Sequence, residues 1–304
     1  MTKFWEASAS ALSARLFAAG GSALVFWVWA FTVWSIRQGG WPYVRDAVQA
    51  LVVQQNLAPV LALVVAGVVV VSTSSLIVER LTLPVLRLLE GYWPRIAGPL
   101  RNLLVNHWEK RVDALSDTQP VGTDSQVRLT TDQVRMWRFP ARGDVMPTRI
   151  GNIIRGGERR PAYWYGLDAV IVWPQLWLIL PGQARSDLTH VRQQLDRSVA
   201  AFTWTLIACS LGLVWPPAGL VGVAAAWVIW RWWVPNAAQD YATLVSAVFD
   251  TQRFALYESL RYARPTSPAN EKAHGEALTR SLWSDLASAP RAKSADKEAA
   301  DYSE

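Results

Sequence analysis

The sequence predicts an all-α integral membrane protein: four transmembrane helices in two hairpins, carrying a mostly helical cytoplasmic module. Three observations predict it. Hydrophobic residues make up 51% of the 304 residues and are gathered into uncharged runs that a water-soluble fold would struggle to cover. Basic residues crowd beside those runs in segments that would all face one side of a bilayer. Trp occurs 18 times, and Trp is favoured where membrane meets water.

Residues 1–15 read as a cytoplasmic amphipathic segment, not a cleavable signal peptide. Glu6 comes early, and Arg15 directly precedes an apolar run that continues past signal length. The first hairpin occupies 16–79. Its two runs, 16–36 and 57–78, carry no charge and are each long enough at 1.5 Å per residue to cross a core of about 30 Å. The second hairpin occupies 199–234. That stretch is too long for one span, and Pro216-Pro217 with Gly219 divides it into 199–215 and 220–234.

Charge sets the orientation. Arg80, Arg87, Arg95, Arg101, Lys110 and Arg111 follow the second span; Arg185, Arg192 and Arg197 precede the third; Arg253, Arg261 and Arg264 follow the fourth. The loop 37–56 holds two Arg against one Asp, and the turn at Pro216 is uncharged. Both termini and the central region are therefore expected in the cytoplasm. Arg far outnumbers Lys, a bias that fits a G+C-rich bacterial genome, so the membrane is expected to be a bacterial inner membrane.

The run 163–181, "YWYGLDAVIVWPQLWLILP", competes for a fifth span. A crossing there would invert the charge rule at two places and put Asp168, Pro174 and Gln175 in lipid. It reads instead as an interfacial or protein-covered segment with one greasy face, kinked at Trp173-Pro174.

The cytoplasmic module spans 80–198. It opens with a basic amphipathic stretch, 80–115, segmented by Pro84, Pro94 and Pro99, which lies either on the anionic inner leaflet or on its neighbours. "QVRLT" and "QVRMWRF" admit a short β pair over 126–139. Thr148 opens a short helix that Gly156-Gly157 should end. Residues 235–263 form a further amphipathic helix capped by Asn236. Residues 264–304 read as a largely disordered tail in which "EALTRSLWSDLAS" forms a docking helix.

The chemistry is sparse. His107, His190 and His274 are far apart, no metal-ligand spacing occurs, and no catalytic or cofactor motif is present, so no catalytic residue, metal or cofactor is assigned. Cys209 is the single cysteine and excludes an intrachain disulfide. The densest polar cluster is Arg149, Asn152, Arg155, Arg159 and Arg160, with Glu158 among them and Asp168 beyond. It reads either as a seat for an anionic headgroup or nucleotide, or as ion pairs that fix the fold. Positive-inside loops already account for the basic charge, so nucleic acid is not expected.

Two small-residue faces mark helix packing: Ala58, Ala62 and Ala66 on the second span, and Ala218, Gly222 and Ala226 on the fourth. They serve either packing within one bundle or self-association. No span carries a mid-membrane charge, which argues against a proton-coupled pump. The leading expectation is a non-enzymatic, homo-oligomeric effector or channel gated through its cytoplasmic region. A scaffold docking a cytosolic partner protein comes second, and an enzyme acting on lipid at the inner leaflet third.

Overall fold

The computed structural model describes residues 21–53, 57–116 and 139–288. Those residues are all-helical, with no strand among them. The expected β pair at 126–139 lies, but for its last residue, outside the described residues, as do the segment 1–15 and the tail beyond 288.

In chain order the helices are α1 (21–37), α2 (Trp41–Val53), α3 (Leu57–Glu90), α4 (Gly98–Ser116), α5 (Arg149–Tyr165), α6 (Ala169–Ile179), α7 (Gly182–Cys209), α8 (Pro216–Val228), α9 (Val234–Ser259) and α10 (Pro268–Ser288). Two helical stretches are long and apolar enough to cross a membrane: α3, and the continuous rod of α8 and α9. The other two expected spans do not reach that measure within the described residues. Residues before 21 are not described, and the apolar half of α7 follows a polar half and gives way to a 3-10 turn at Ser210–Leu213.

Three buried clusters are strung along α7. At its apolar end Trp204 packs with Ala23 of α1 and Val78 of α3. In the middle, Leu195 and Val199 meet Leu86, Ile150, Ile153, Ile154, Val234 and Ala238. At its start, Leu188 joins Val172, Leu176, Val245, Phe249, Leu256 and Tyr257. The apolar helices are tied as well as packed. Trp27 Nε1 donates to Ser74 Oγ at 3.0 Å, Phe26 and Trp204 lie 4.9 Å apart, and Arg37 donates to the Val214 carbonyl at 2.6 Å.

Several boundaries differ from the sequence reading, each for a local reason. Pro84 does not segment α3. It removes one backbone bond from a 34-residue helix, and burial of Leu86 just beyond it offsets that loss. The helix ends instead at Gly91 (φ +101°), where Tyr92 N–H donates to the Arg87 carbonyl and Gly91 N–H to Leu88, a Schellman end.

Thr148 does cap α5, accepting from Gly151 N–H. Gly156-Gly157, however, does not stop it. A Cβ at Gly157 would sit 2.8 Å from the Ala242 backbone, so glycine there permits α9 to cross closely. The stop is Gly166, left-handed at φ +69°.

The run 163–181 is broken at Gly166–Asp168, not at Trp173-Pro174. Asp168 caps α6, which stays helical through Pro174. Its inner face is Ala169, Val172 and Leu176, followed by buried Leu180, while Val170 and Leu178 are 72% and 78% exposed. A helix apolar all round gives no sequence signal of which face turns inward.

Asn236 caps nothing, because α8 and α9 form one rod. Pro235 cannot continue an α-helical ladder, and the chain absorbs it with a π turn at Ile229–Trp233, where Val234 N–H reaches back to the Ile229 carbonyl. Pro216-Pro217 open α8 instead of merely interrupting it, since their missing N–H groups are free at a helix start. In the tail, α10 begins at Pro268, ahead of the expected docking helix, and buries Leu278.

Candidate functional site

The six predicted cluster residues do not converge on one point. Asn152 is 0% exposed and faces inward. Its amide accepts from Met146 N–H at 2.7 Å and donates to the Met146 carbonyl at 2.9 Å, pinning the chain that leads into α5. Arg149 stands at the first position of α5.

Arg155, Arg159 and Arg160 do gather on one side of α5, but with carboxylates among them. Asp144, from the preceding loop, lies 3.5 Å from Arg155 and 3.4 Å from Arg159. Arg159 also reaches Asp168 at 3.0 Å, and Arg160 lies 3.7 Å from Asp250 on α9. Three guanidiniums thus face three carboxylates. Two tyrosines join them: Tyr163 donates to Asp144 at 2.6 Å and Tyr165 to Asp250 at 2.7 Å. Both phenols are pushed up to about 12, first by burial and then by the acceptor carboxylates. The network fastens α5 to α6 and α9.

Asp144 and Asp250 escaped the sequence reading because they sit at a distance along the chain. Asp144 shared a turn-rich segment with no periodicity, and Asp250 lay on the polar side of an amphipathic stripe.

A second constellation lies where α3, α5, α7 and α9 meet. The Glu90 carbonyl backs directly onto Gly151, where a side chain would collide with it. Glu158 stands two turns further along α5, beside the Gly157–Ala242 crossing. From α9, Tyr241 packs against both deeper clusters, and the Arg192 guanidinium of α7 lies 5.6 Å over its ring. Arg192 pairs with Asp196 at 3.2 Å.

Neither Glu90 nor Glu158 makes an ion pair or a side-chain hydrogen bond among the described residues. Burial raises Glu90 to about 7, helped by the Glu158 charge against Arg192 and Arg87. Burial also raises Glu158, opposed by Arg155, Arg159 and Arg192. Burial works against the Arg192 cation, yet Asp196 and Tyr241 outweigh it and hold the proton.

The two small-residue faces part company. Ala218, Gly222 and Ala226 are turned inward, and a Cβ at Gly222 would lie 2.9 Å from the Cys209 backbone on α7. That face closes the hairpin. Ala58, Ala62 and Ala66 are exposed, on an apolar stretch only 6% buried.

Among the described residues no group of His, Cys, Asp and Glu is placed to hold a metal ion. No family model matches the chain, and no match is found among curated proteins or solved structures.

Proposed function

We propose that the chain is a four-span bacterial inner-membrane protein with both termini in the cytoplasm, whose copies assemble into an effector or channel gated through the polar module. The observation that carries this reading is the unequal use of the two small-residue faces. One is consumed inside the protomer; the other, with Ala62 and Ala66, lies on an apolar stretch, 58–70, that is exposed on every side among the described residues. Small residues at every fourth position let a second helix approach closely in lipid. The Arg37–Val214 bond supports the four-span topology, since it joins the two ends that the charge rule assigns to the outer boundary. The α8–α9 rod supports coupling, because it leaves no loose linker between the apolar hairpin and the polar module.

Disulfide trapping tests this. With Cys209→Ser as background, Ala62→Cys and Ala66→Cys in native membranes should cross-link copies on mild oxidation, and the purified protein should carry ion flux in proteoliposomes. Absence of cross-links at both positions together with absence of flux would overturn the reading.

A cytosolic-partner scaffold is the second reading, favoured by α6. This helix packs beside Leu188, 16 residues along α7 from Trp204, or about 24 Å at helical rise. Its exposed Val170 and Leu178 would then lie away from the bilayer, where a soluble protein would cover them. Cross-linking without flux would select it.

A further inference from the structure

α4 leaves the end of α3 with one side held and the other open. Gly91 (φ +101°) and Pro94 turn the chain, and Trp93 Nε1 fixes the turn by donating to the Leu88 carbonyl at 2.8 Å. Trp108 stacks on Phe139 with ring centroids 5.6 Å apart, and Asp113 pairs with Arg142 at 3.5 Å. Those contacts hold one side of α4 to the loop before α5. Ile96, in the short turn ahead of α4, leads into Leu100, Leu103, His107 and Lys110 at steps of four and three residues, so these side chains share the other side. Ile96 is 94% exposed, Leu100 55% and Leu103 64%.

The depth and charge of this stripe point to its occupant. Ile229 and Val234 bracket the π turn and pack with Leu86 of α3 in one buried cluster. The exposed Trp230, Trp232 and Trp233 between them therefore stand beside the Leu86 turn. Tryptophans so exposed mark a membrane boundary. From Leu57 to Leu86, α3 rises about 44 Å, and a bilayer with its headgroups is about 40–45 Å deep. Glu90 ends α3 about 6 Å beyond Leu86, so the chain enters α4 close to the headgroups.

There, Arg95, Arg101, Lys110 and Arg111 stand against Glu109 and Asp113, and Asp113 is taken by Arg142. Among the described residues Arg101 and Lys110 make no ion pair. Exposed aliphatic side chains interleaved with such cations suit an anionic lipid surface. The leucines sink to the acyl boundary, and the long basic stems reach back to the phosphates.

Given the reading of α3 as a membrane span, we propose that α4 docks on the anionic inner leaflet as an in-plane helix. Ile96, Leu100 and Leu103 enter the lipid, and Arg101, Lys110 and Arg111 meet its phosphates. Through Phe139 and Arg142 the docked helix ties the loop that carries Asp144 to the bilayer. Neither oligomerisation nor conduction is needed for this.

The test uses full-length protein in a Cys209→Ser background, nitroxide-labelled at single cysteines. The protein is held in nanodiscs of phosphatidylcholine with or without phosphatidylglycerol. Collision with oxygen, which prefers lipid, is compared with collision with a water-soluble nickel chelate. With phosphatidylglycerol present, Ile96→Cys and Leu103→Cys should favour oxygen several-fold more than Asn102→Cys, an exposed position off the stripe. Omitting phosphatidylglycerol, or adding Arg101→Glu with Lys110→Glu, should return both to the Asn102 value. Water-like values at both in anionic discs would overturn the docking, as would lipid-like values that survive either change. Shielding from both collision partners would mean that protein covers the stripe, a second copy or a soluble partner, and would overturn it too. Val69→Cys, on the apolar stretch of α3 and 56% exposed, separates this docking from the membrane reading. A lipid-like Val69 with water-like Ile96 and Leu103 removes the docking alone, whereas a water-like Val69 removes the span itself.

Discussion

The Thr148 hydroxyl donates to the Leu89 carbonyl at 2.6 Å while accepting from Gly151 N–H at 2.9 Å. One side chain therefore caps the start of α5 and satisfies an open carbonyl at the end of α3. Replacing Thr148 with Val should cost about 1–2 kcal/mol, the range of a lost N-cap, and Thr148→Ser should restore most of it. Chemical denaturation of the detergent-solubilised protein checks this.

The crossing at Gly157 predicts a steric cost. Gly157→Val would drive a side chain into the Ala242 backbone and should destabilise by about 1–3 kcal/mol through overpacking. Gly98→Ala, at a helix start with open space around it, should be neutral within about 0.5 kcal/mol. Paired thermal melts distinguish the two.

Asp144 is shared by Arg155, Arg159 and Tyr163. Asp144→Asn should destabilise the polar module, and a double-mutant cycle with Arg159→Gln should return a coupling of about 1 kcal/mol. The Tyr163 phenol, now near 12, should ionise at lower pH in Asp144→Asn. Phenolate absorbance during alkaline titration reads that shift. Because the folded phenol holds its proton above the ordinary value of 10.0, its contribution to stability is lost as pH rises from 10 towards 12.

The two small-residue faces should respond oppositely to bulk. Gly222→Leu would push α8 off α7 and should lower the yield of folded protomer. Ala62→Leu should leave the protomer melt unchanged and reduce self-association, read by size-exclusion elution and cross-linking.

Helix content and the position of the apolar runs were legible because both follow from local periodicity and charge. The Thr148 cap was legible for the same reason: capping is decided within three residues. The glycines at 156 and 157 misled because Gly signals either a stop or a close crossing, and only the partner helix decides. Asn236 misled because a π turn converts a Pro boundary into a continuous rod.

Subunit count tests the central claim most directly. Full-length protein extracted from its membrane into native nanodiscs should run as a closed ring of several copies by mass photometry or native mass spectrometry. A monomer would contradict the account, because the four proposed spans of a single protomer would have too little wall to enclose a conducting path.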